Sequence, residues 1–245
     1  MKILIIGIGS EIAYFTALKF AKDKNQLYCT SRNFNTAEQT TNDLKVRSGN
    51  KNIVPLELIP TELDRHKDFF DKFIKSYGLP DILYVAYGSL INNDLIKKDF
   101  YEVKKQIDIN FTSVISIVNY FAYKFVDRNS GTIAVIGSVA GDRARGSNYV
   151  YGTAKGALSL FLQGLRSDLS DTKVKVLTIK PGFVATKMTA DLKKNFLFAN
   201  PKLVGDKIYH NILSGKEVQY IPGFWYLIMC IVKLIPEKIF KKLKF

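Results

Sequence analysis

Strand-like and helix-like segments alternate along this chain, and that alternation constrains the fold more than any other feature. An apolar run at 2–6 (KILII) leads into a helical pattern over about 11–23, where Ile12, Phe15, Leu18 and Phe20 or Ala21 recur at helical spacing. Further strand-like runs lie at 26–30 (QLYCT), 52–58, 82–86 (ILYVA), 131–137 (GTIAVIG) and 173–179 (KVKVLTI). Helical stretches at about 34–48, 62–77, 99–126 and 148–169 separate them, and a helix near 201–214 precedes a last strand, EVQYIP. Strands joined through helices need crossover connections, which make neighbours parallel and place helices on both faces.

The predicted fold is α/β, a single Rossmann-type three-layer sandwich with a doubly wound, mostly parallel seven-stranded sheet and a C-terminal amphipathic helical tail. A length of 245 residues suits one domain with a large core, and no linker interrupts it. Residues 1–222 are read as that domain and 223–245 as an apolar and basic extension. Hydrophobic content of 47% excludes wholesale disorder. Cys29 and Cys230 lie far apart and offer no disulfide framework, so a cytoplasmic setting is expected. The start, MKILIIGIGS, has the charge and apolar run of a signal peptide, but its glycines and missing cleavage site favour a first strand. No stretch reaches the length of an apolar spanning helix.

Strand, glycine turn and helix give the first segment a nucleotide-binding context. Gly7 and Gly9 would let the backbone approach a pyrophosphate, and Ser10, Glu11 and Ile12 would open the helix with unpaired N–H groups and a favourable dipole. The same glycines could equally form a structural turn. Ser31 and Arg32 follow the second strand, where an acid would bind a ribose hydroxyl and an arginine suits a 2′-phosphate. Arg32 therefore favours NADP(H) over NAD(H), although a surface charge is the plain alternative. Ala86, Tyr87 and Gly88 leave the fourth strand beside the expected crevice, and Asn110 is a polar residue within the long helical stretch.

Ser138 ends the fifth strand, and Tyr151 and Lys155 follow in YGTAK on a helix. Four residues apart, Tyr151 and Lys155 share one helix face. An ammonium beside a phenol favours the phenolate and lowers the tyrosine pKa. Tyr151 could then protonate a carbonyl oxygen during hydride delivery, with Ser138 donating a hydrogen bond to the same oxygen. A lone Y-x-x-x-K is weak evidence in a lysine-rich chain, but a serine at a strand end and the upstream glycine turn strengthen it.

With these residues in place, the chain resembles the short-chain dehydrogenase/reductase family over nearly all of residues 3–222. The resemblance rests on Gly7 and Gly9 in GIGSEIA, Asn110 in QIDINFTS, Ser138 in VIGSVAG, Tyr151 and Lys155 in YGTAK, and Pro181, Gly182 and Thr186 in PGFVATKM. It implies that Asn110, Ser138, Tyr151 and Lys155 form a catalytic tetrad, in which the lysine also touches the nicotinamide ribose and the asparagine holds a relay water. It also implies that Pro181, Gly182, Val184 and Thr186 approach the nicotinamide end of the cofactor, and that the protein forms a homodimer or homotetramer. Three departures bear on the cofactor pose: Ile6 replaces a threonine, Glu11 and Ala13 replace the later two glycines, and Val85-Ala86-Tyr87-Gly88 replaces N-N-A-G.

A closer resemblance is to reductases of keto-sugars carried on polyprenyl phosphates. It implies a lipid-linked or hydrophobic carbonyl substrate and a flavin-dependent oxidase partner in a two-step epimerisation. Residues 187–200 (KMTADLKKNFLFAN) lie where the family carries a substrate cover; Met188, Leu192, Phe196 and Leu197 suit an apolar ligand, and Lys187, Lys193 and Lys194 an anionic one. An ordinary amphipathic cover helix explains the same residues. The end, GFWYLIMCIVKLIPEKIFKKLKF, has aromatic residues first, then an apolar run, then lysines interspersed with Ile235, Ile239, Phe240, Leu243 and Phe245. That order fits peripheral attachment to an anionic membrane surface on the cytoplasmic side, with a dimer interface or a flap over the core as rivals. The formal charge of +14 comes without a zinc spacing or an arginine-rich reading helix, so no nucleic acid is expected. His66 and His210 have no ligand cluster near them in sequence, and no metal is expected. A soluble reductase of a hydrophobic ketone or acyl substrate, and a non-catalytic NADP-binding partner of a glycan enzyme, remain the competing functions.

Overall fold

The computed structural model describes residues 1–243; Phe245 of the predicted tail lies outside the described residues. The first half runs β1 (Lys2–Ile6), α1 (Glu11–Lys22), β2 (Gln26–Ser31), α2 (Phe34–Ser48), β3 (Ile53–Glu57), α3 (His66–Tyr77) and β4 (Ile82–Val85). The second runs α4 (Asn93–Ile96), α5 (Phe100–Ile107), α6 (Ser113–Asp127), β5 (Gly131–Ile136), α7 (Tyr149–Asp168), β6 (Val174–Pro181), α8 (Pro201–Ser214), β7 (Val218–Ile221), α9 (Phe224–Leu234) and α10 (Glu237–Phe240).

The strands form one seven-stranded sheet in the order β3-β2-β1-β4-β5-β6-β7. Each neighbouring pair is parallel, so the sheet is fully rather than mostly parallel among the described residues. Alternate residues of β1 face opposite layers, as the period of two in a strand requires. Ile3 and Ile5 join α1, α2 and α8 through Ala17, Phe20, Leu44 and Ile208. Leu4 and Ile6 join α3, α6 and α7 through Phe70, Phe121 and Leu162. That is the expected three-layer sandwich. The chain reverses its winding between β1 and β4, which opens a crevice at the carboxyl ends of those strands.

The structure departs from the sequence-based expectations in three places. The predicted helix over 99–126 follows a continuous path from Phe100 to Asp127, but a π-helical turn at Asp108–Thr112 interrupts its regular bonding. Strand β6 continues past 179 to Pro181, because a parallel neighbour, Ile221, is in register with the proline. Residues 187–200 form no cover helix; a single 3-10 turn, Lys187–Thr189, precedes an irregular segment closed by a bridge between Val184 and Ala199. There the Asn195 side chain accepts the N–H of Leu197 at 3.0 Å, a local bond that favours a turn over a helix.

Candidate active site

The reaction centre is built where β5 ends. Ser138 leaves the strand in an extended conformation and its Oγ accepts the N–H of Ala140 at 3.1 Å, which turns the chain into the 3-10 turn Val139–Gly141. That turn lies on α7 with no room for side chains: a Cβ on Gly141 would stand 2.6 Å from the Lys155 carbonyl carbon, and one on Gly152 2.9 Å from the Ala140 oxygen. This close approach sets Ser138 beside Tyr151, which lies in the first turn of α7.

Lys155, one turn on, is 2% exposed and donates from Nζ to the carbonyl of Ile136 at 3.0 Å. Burial lowers its pKa to about 8. The phenol of Tyr151 behaves differently from the sequence-based expectation. Burial raises its pKa, the neighbouring Ser138 hydroxyl works against that rise, and Lys155 does not contribute. The ammonium is already committed to the strand end.

Asn110 sits in the π-helical turn and is fully buried. Its Oδ1 accepts the N–H of Ser89 at 3.1 Å, and its Nδ2 donates to the carbonyls of Ser89 and Gln106, each at 2.9 Å. The π turn widens the helix locally, a distortion that often marks working sites. Gly88 lies between Asn110 and Lys155: a Cβ there would stand 2.8 Å from Asn110 Oδ1 and 3.5 Å from Lys155 Nζ. All four predicted catalytic residues therefore line the ends of β4 and β5 and the start of α7.

The cofactor residues line the crevice at the ends of β1, β2 and β6. Gly7 has φ of +96°, and a Cβ would stand 2.7 Å from that of Tyr87, so only glycine fits there. Gly9 has no such constraint; its nearest neighbour would be Thr36 Cγ2 at 3.5 Å. Ser10 caps α1, while the side chain of Ile12 is buried in the core, leaving only its backbone for a ligand. Glu11, which replaces a glycine of the resembling motif, accepts the N–H of Lys187 at 2.9 Å and ties α1 to the segment after β6. Ser31 is buried and Arg32 exposed, at the gap between β2 and α2. Ala86 donates its N–H to Ile6 at 2.9 Å, and Val184 is buried behind the 186–189 turn. Thr186 donates its N–H to Thr189 Oγ1 at 3.3 Å. Gly182 donates its own to Ile221 at 3.0 Å and lies under the indole of Trp225, while Pro181 pairs in register with Ile221. The tight Gly7 turn, the open α1 terminus and exposed Arg32 fit a dinucleotide with a 2′-phosphate.

Several supporting residues escaped the sequence reading. Gln106 is fully buried; its Oε1 accepts the N–H of Ile91 at 2.7 Å and its Nε2 donates to Ser89 at 2.6 Å, so it holds the loop that Asn110 also binds. Its spacing of one helical turn from Asn110 is the only sequence signal. Asp142 binds Lys180 Nζ at 2.5 Å and the Tyr220 hydroxyl at 2.6 Å, joining the Ser138 turn to β6 and β7. Of the two histidines the sequence reading did consider, His66 is buried and its Nδ1 pairs with Ser116 Oγ at 2.9 Å.

Comparison with known proteins agrees with this fold. The family described as short chain dehydrogenase matches residues 1–196. An NADP-dependent 3-hydroxy acid dehydrogenase of Schizosaccharomyces pombe is 26% identical over 211 residues, covering 85% of this chain and 79% of the relative. Among solved structures, ElxO with NADP bound superposes with a TM-score of 0.81 at 21% identity, over 92% of this chain and 98% of that one. A short-chain dehydrogenase from Sphingobium yanoikuyae in complex with NADPH gives 0.81 at 19% identity, over 96% of each chain.

Proposed function

Because the chain belongs to the short-chain dehydrogenase family and is therefore an NAD(P)(H)-dependent oxidoreductase, we propose that it reduces the keto group of a sugar carried on a polyprenyl phosphate, using NADPH. One observation carries the chemistry: Tyr151 stands beside the Ser138 hydroxyl, with a buried ammonium one helical turn away. Bound NADPH supplies the hydride. Tyr151 Oη gives its proton to the carbonyl oxygen, and Ser138 Oγ holds that oxygen in place. Lys155 ties α7 to the strand end that delivers Ser138, and Asn110 holds the Ser89 loop that walls the site. Raised by burial, the Tyr151 phenol is kept protonated at neutral pH, as a proton donor needs.

Preference for NADPH is supported by exposed Arg32 at the end of β2 and by the nucleotides named for the relatives above. The lipid-linked keto-sugar is supported by the sequence resemblance and by the exposed side chains of Met188, Leu192 and Phe196, interspersed with lysines beside the site. In this reading a flavoprotein first oxidises the sugar hydroxyl, and this enzyme restores it with the opposite configuration.

Fluorescence titration with NADPH and NADH tests the first half of the proposal, and binding of neither nucleotide overturns it. Tyr151→Phe tests the second half. Turnover should fall roughly a hundred- to ten-thousandfold while NADPH affinity stays close to that of the unaltered protein. Unchanged turnover removes Tyr151 from the proton-donor role.

A further inference from the structure

Helix α9 is apolar on two sides, and the body of the protein covers one of them. Trp225 and Met229, one turn apart, are buried. The Trp225 ring meets Phe183 edge-on, with centroids 5.6 Å apart, and lies against Gly182. On the other side Leu227, Ile231 and Leu234 follow the i, i+4, i+7 spacing and are 66%, 67% and 82% exposed.

The far end of the helix is held firmly. Arg143, on the turn that follows Ser138, donates from Nη1 to the carbonyls of Val232 at 2.7 Å and Ile235 at 2.5 Å. Its Nη2 pairs with Glu237 at 3.0 Å, and its guanidinium lies 3.9 Å from the centre of the Phe240 ring. One arginine thus satisfies helix-end carbonyls and binds α10 to α9. The apolar stripe is therefore presented outward by a fixed helix. It is not the frayed end of a chain.

The same contact decides the charge of the surface. Glu237 is the sole acid between residues 224 and 245, and Arg143 neutralises it from the protein side. Lys233, Lys238, Lys241 and Lys242 are all exposed, so the face beside the stripe is cationic. A second copy meeting this face would set lysines against lysines without an acid to answer them. An anionic lipid surface answers both the charge and the apolar stripe. The 11 residues of α9 make a helix about 16 Å long, roughly half the hydrocarbon thickness of a bilayer. Among the described residues, no helix is long and apolar enough to cross a membrane.

We propose that the outer face of α9, flanked by the lysines of α9 and α10, docks in the plane of an anionic lipid surface. Through Arg143 and Trp225 this surface is joined to the turn after Ser138 and to Gly182, so docking holds the reaction centre beside the lipid. The inference does not depend on which carbonyl is reduced.

Vesicle flotation of the full-length protein tests it, with phosphatidylglycerol-containing vesicles compared with pure phosphatidylcholine. Binding should need the anionic lipid and weaken with salt. Leu227→Asp combined with Ile231→Asp should weaken it about tenfold or more, as should Lys238→Glu combined with Lys241→Glu, with melting temperatures unchanged. Three results overturn the proposal: no flotation of the intact protein, flotation of both double variants at native strength, or a dimer in sedimentation velocity that the aspartates dissociate while lipid binding persists.

Discussion

Lys155 Nζ donates to the carbonyl oxygen of Ile136 at 3.0 Å, which ties the buried ammonium to the strand that delivers Ser138. The charge is thus fixed two residues upstream of the serine, in a site where burial has already lowered its pKa to about 8. The lysine acts on the site through its position, without a bond to the phenol.

That lowered pKa has a consequence for stability. Between pH 8 and the ordinary lysine value of 10.5, the unfolded chain holds a proton that the folded one has lost. Stability contributed by this group therefore rises with pH through that window, and below pH 8 its penalty is fully present. Lys155→Met should relieve about 3 kcal/mol at pH 7, offset by about 1 kcal/mol for the lost bond to Ile136. Urea unfolding at pH 7 should show the variant more stable than the native protein, with the advantage gone by pH 10. An advantage that does not change with pH would contradict the buried charge.

Gln106 offers a separate test away from the reacting atoms. Gln106→Leu keeps the volume but leaves the Ile91 N–H without its acceptor and loosens the Ser89 loop under Asn110. The expected loss is about 2 kcal/mol in urea unfolding. Amide exchange at Ile91 should quicken with it. If neither changes, the loop is held by Asn110 alone.

How far the site was legible in the sequence follows from where its signals lie along the chain. Ser138, Tyr151 and Lys155 depend on local spacing around one strand end and one helix turn, and β1 with Gly7 on a local strand and turn. Those could be read directly. The π turn at Asn110 could not, since neither the composition nor the spacing of Asp108–Thr112 encodes widened bonding. The roles of Gln106, Arg143 and Glu11 depend on partners 15, 94 and 176 residues away, in Ile91, Glu237 and Lys187. The expected depression of the Tyr151 pKa failed for a related reason. Spacing puts lysine and tyrosine on one face, but only the packed structure shows burial dominating and the ammonium turned to Ile136.

Arg32 should decide the nucleotide. It stands exposed between β2 and α2, with Ser31 buried beside it. Arg32→Ala should weaken NADPH binding roughly ten- to a hundredfold, the worth of a charge-assisted bond to a phosphate, and leave NADH nearly unaffected. Equal losses for the two nucleotides would assign Arg32 to the surface.

Hydride transfer to a lipid-borne carbonyl tests the whole account most directly. The protein is incubated with NADPH carrying deuterium at the transferable position and with a polyprenyl-phosphate-linked keto-sugar, and the lipid product is weighed by mass spectrometry. The account predicts a reduced sugar carrying the deuterium, formed by the native protein and lost with Tyr151→Phe. Tight NADPH binding with no deuterium in the product would contradict it and leave the chain a nucleotide-binding partner of another enzyme.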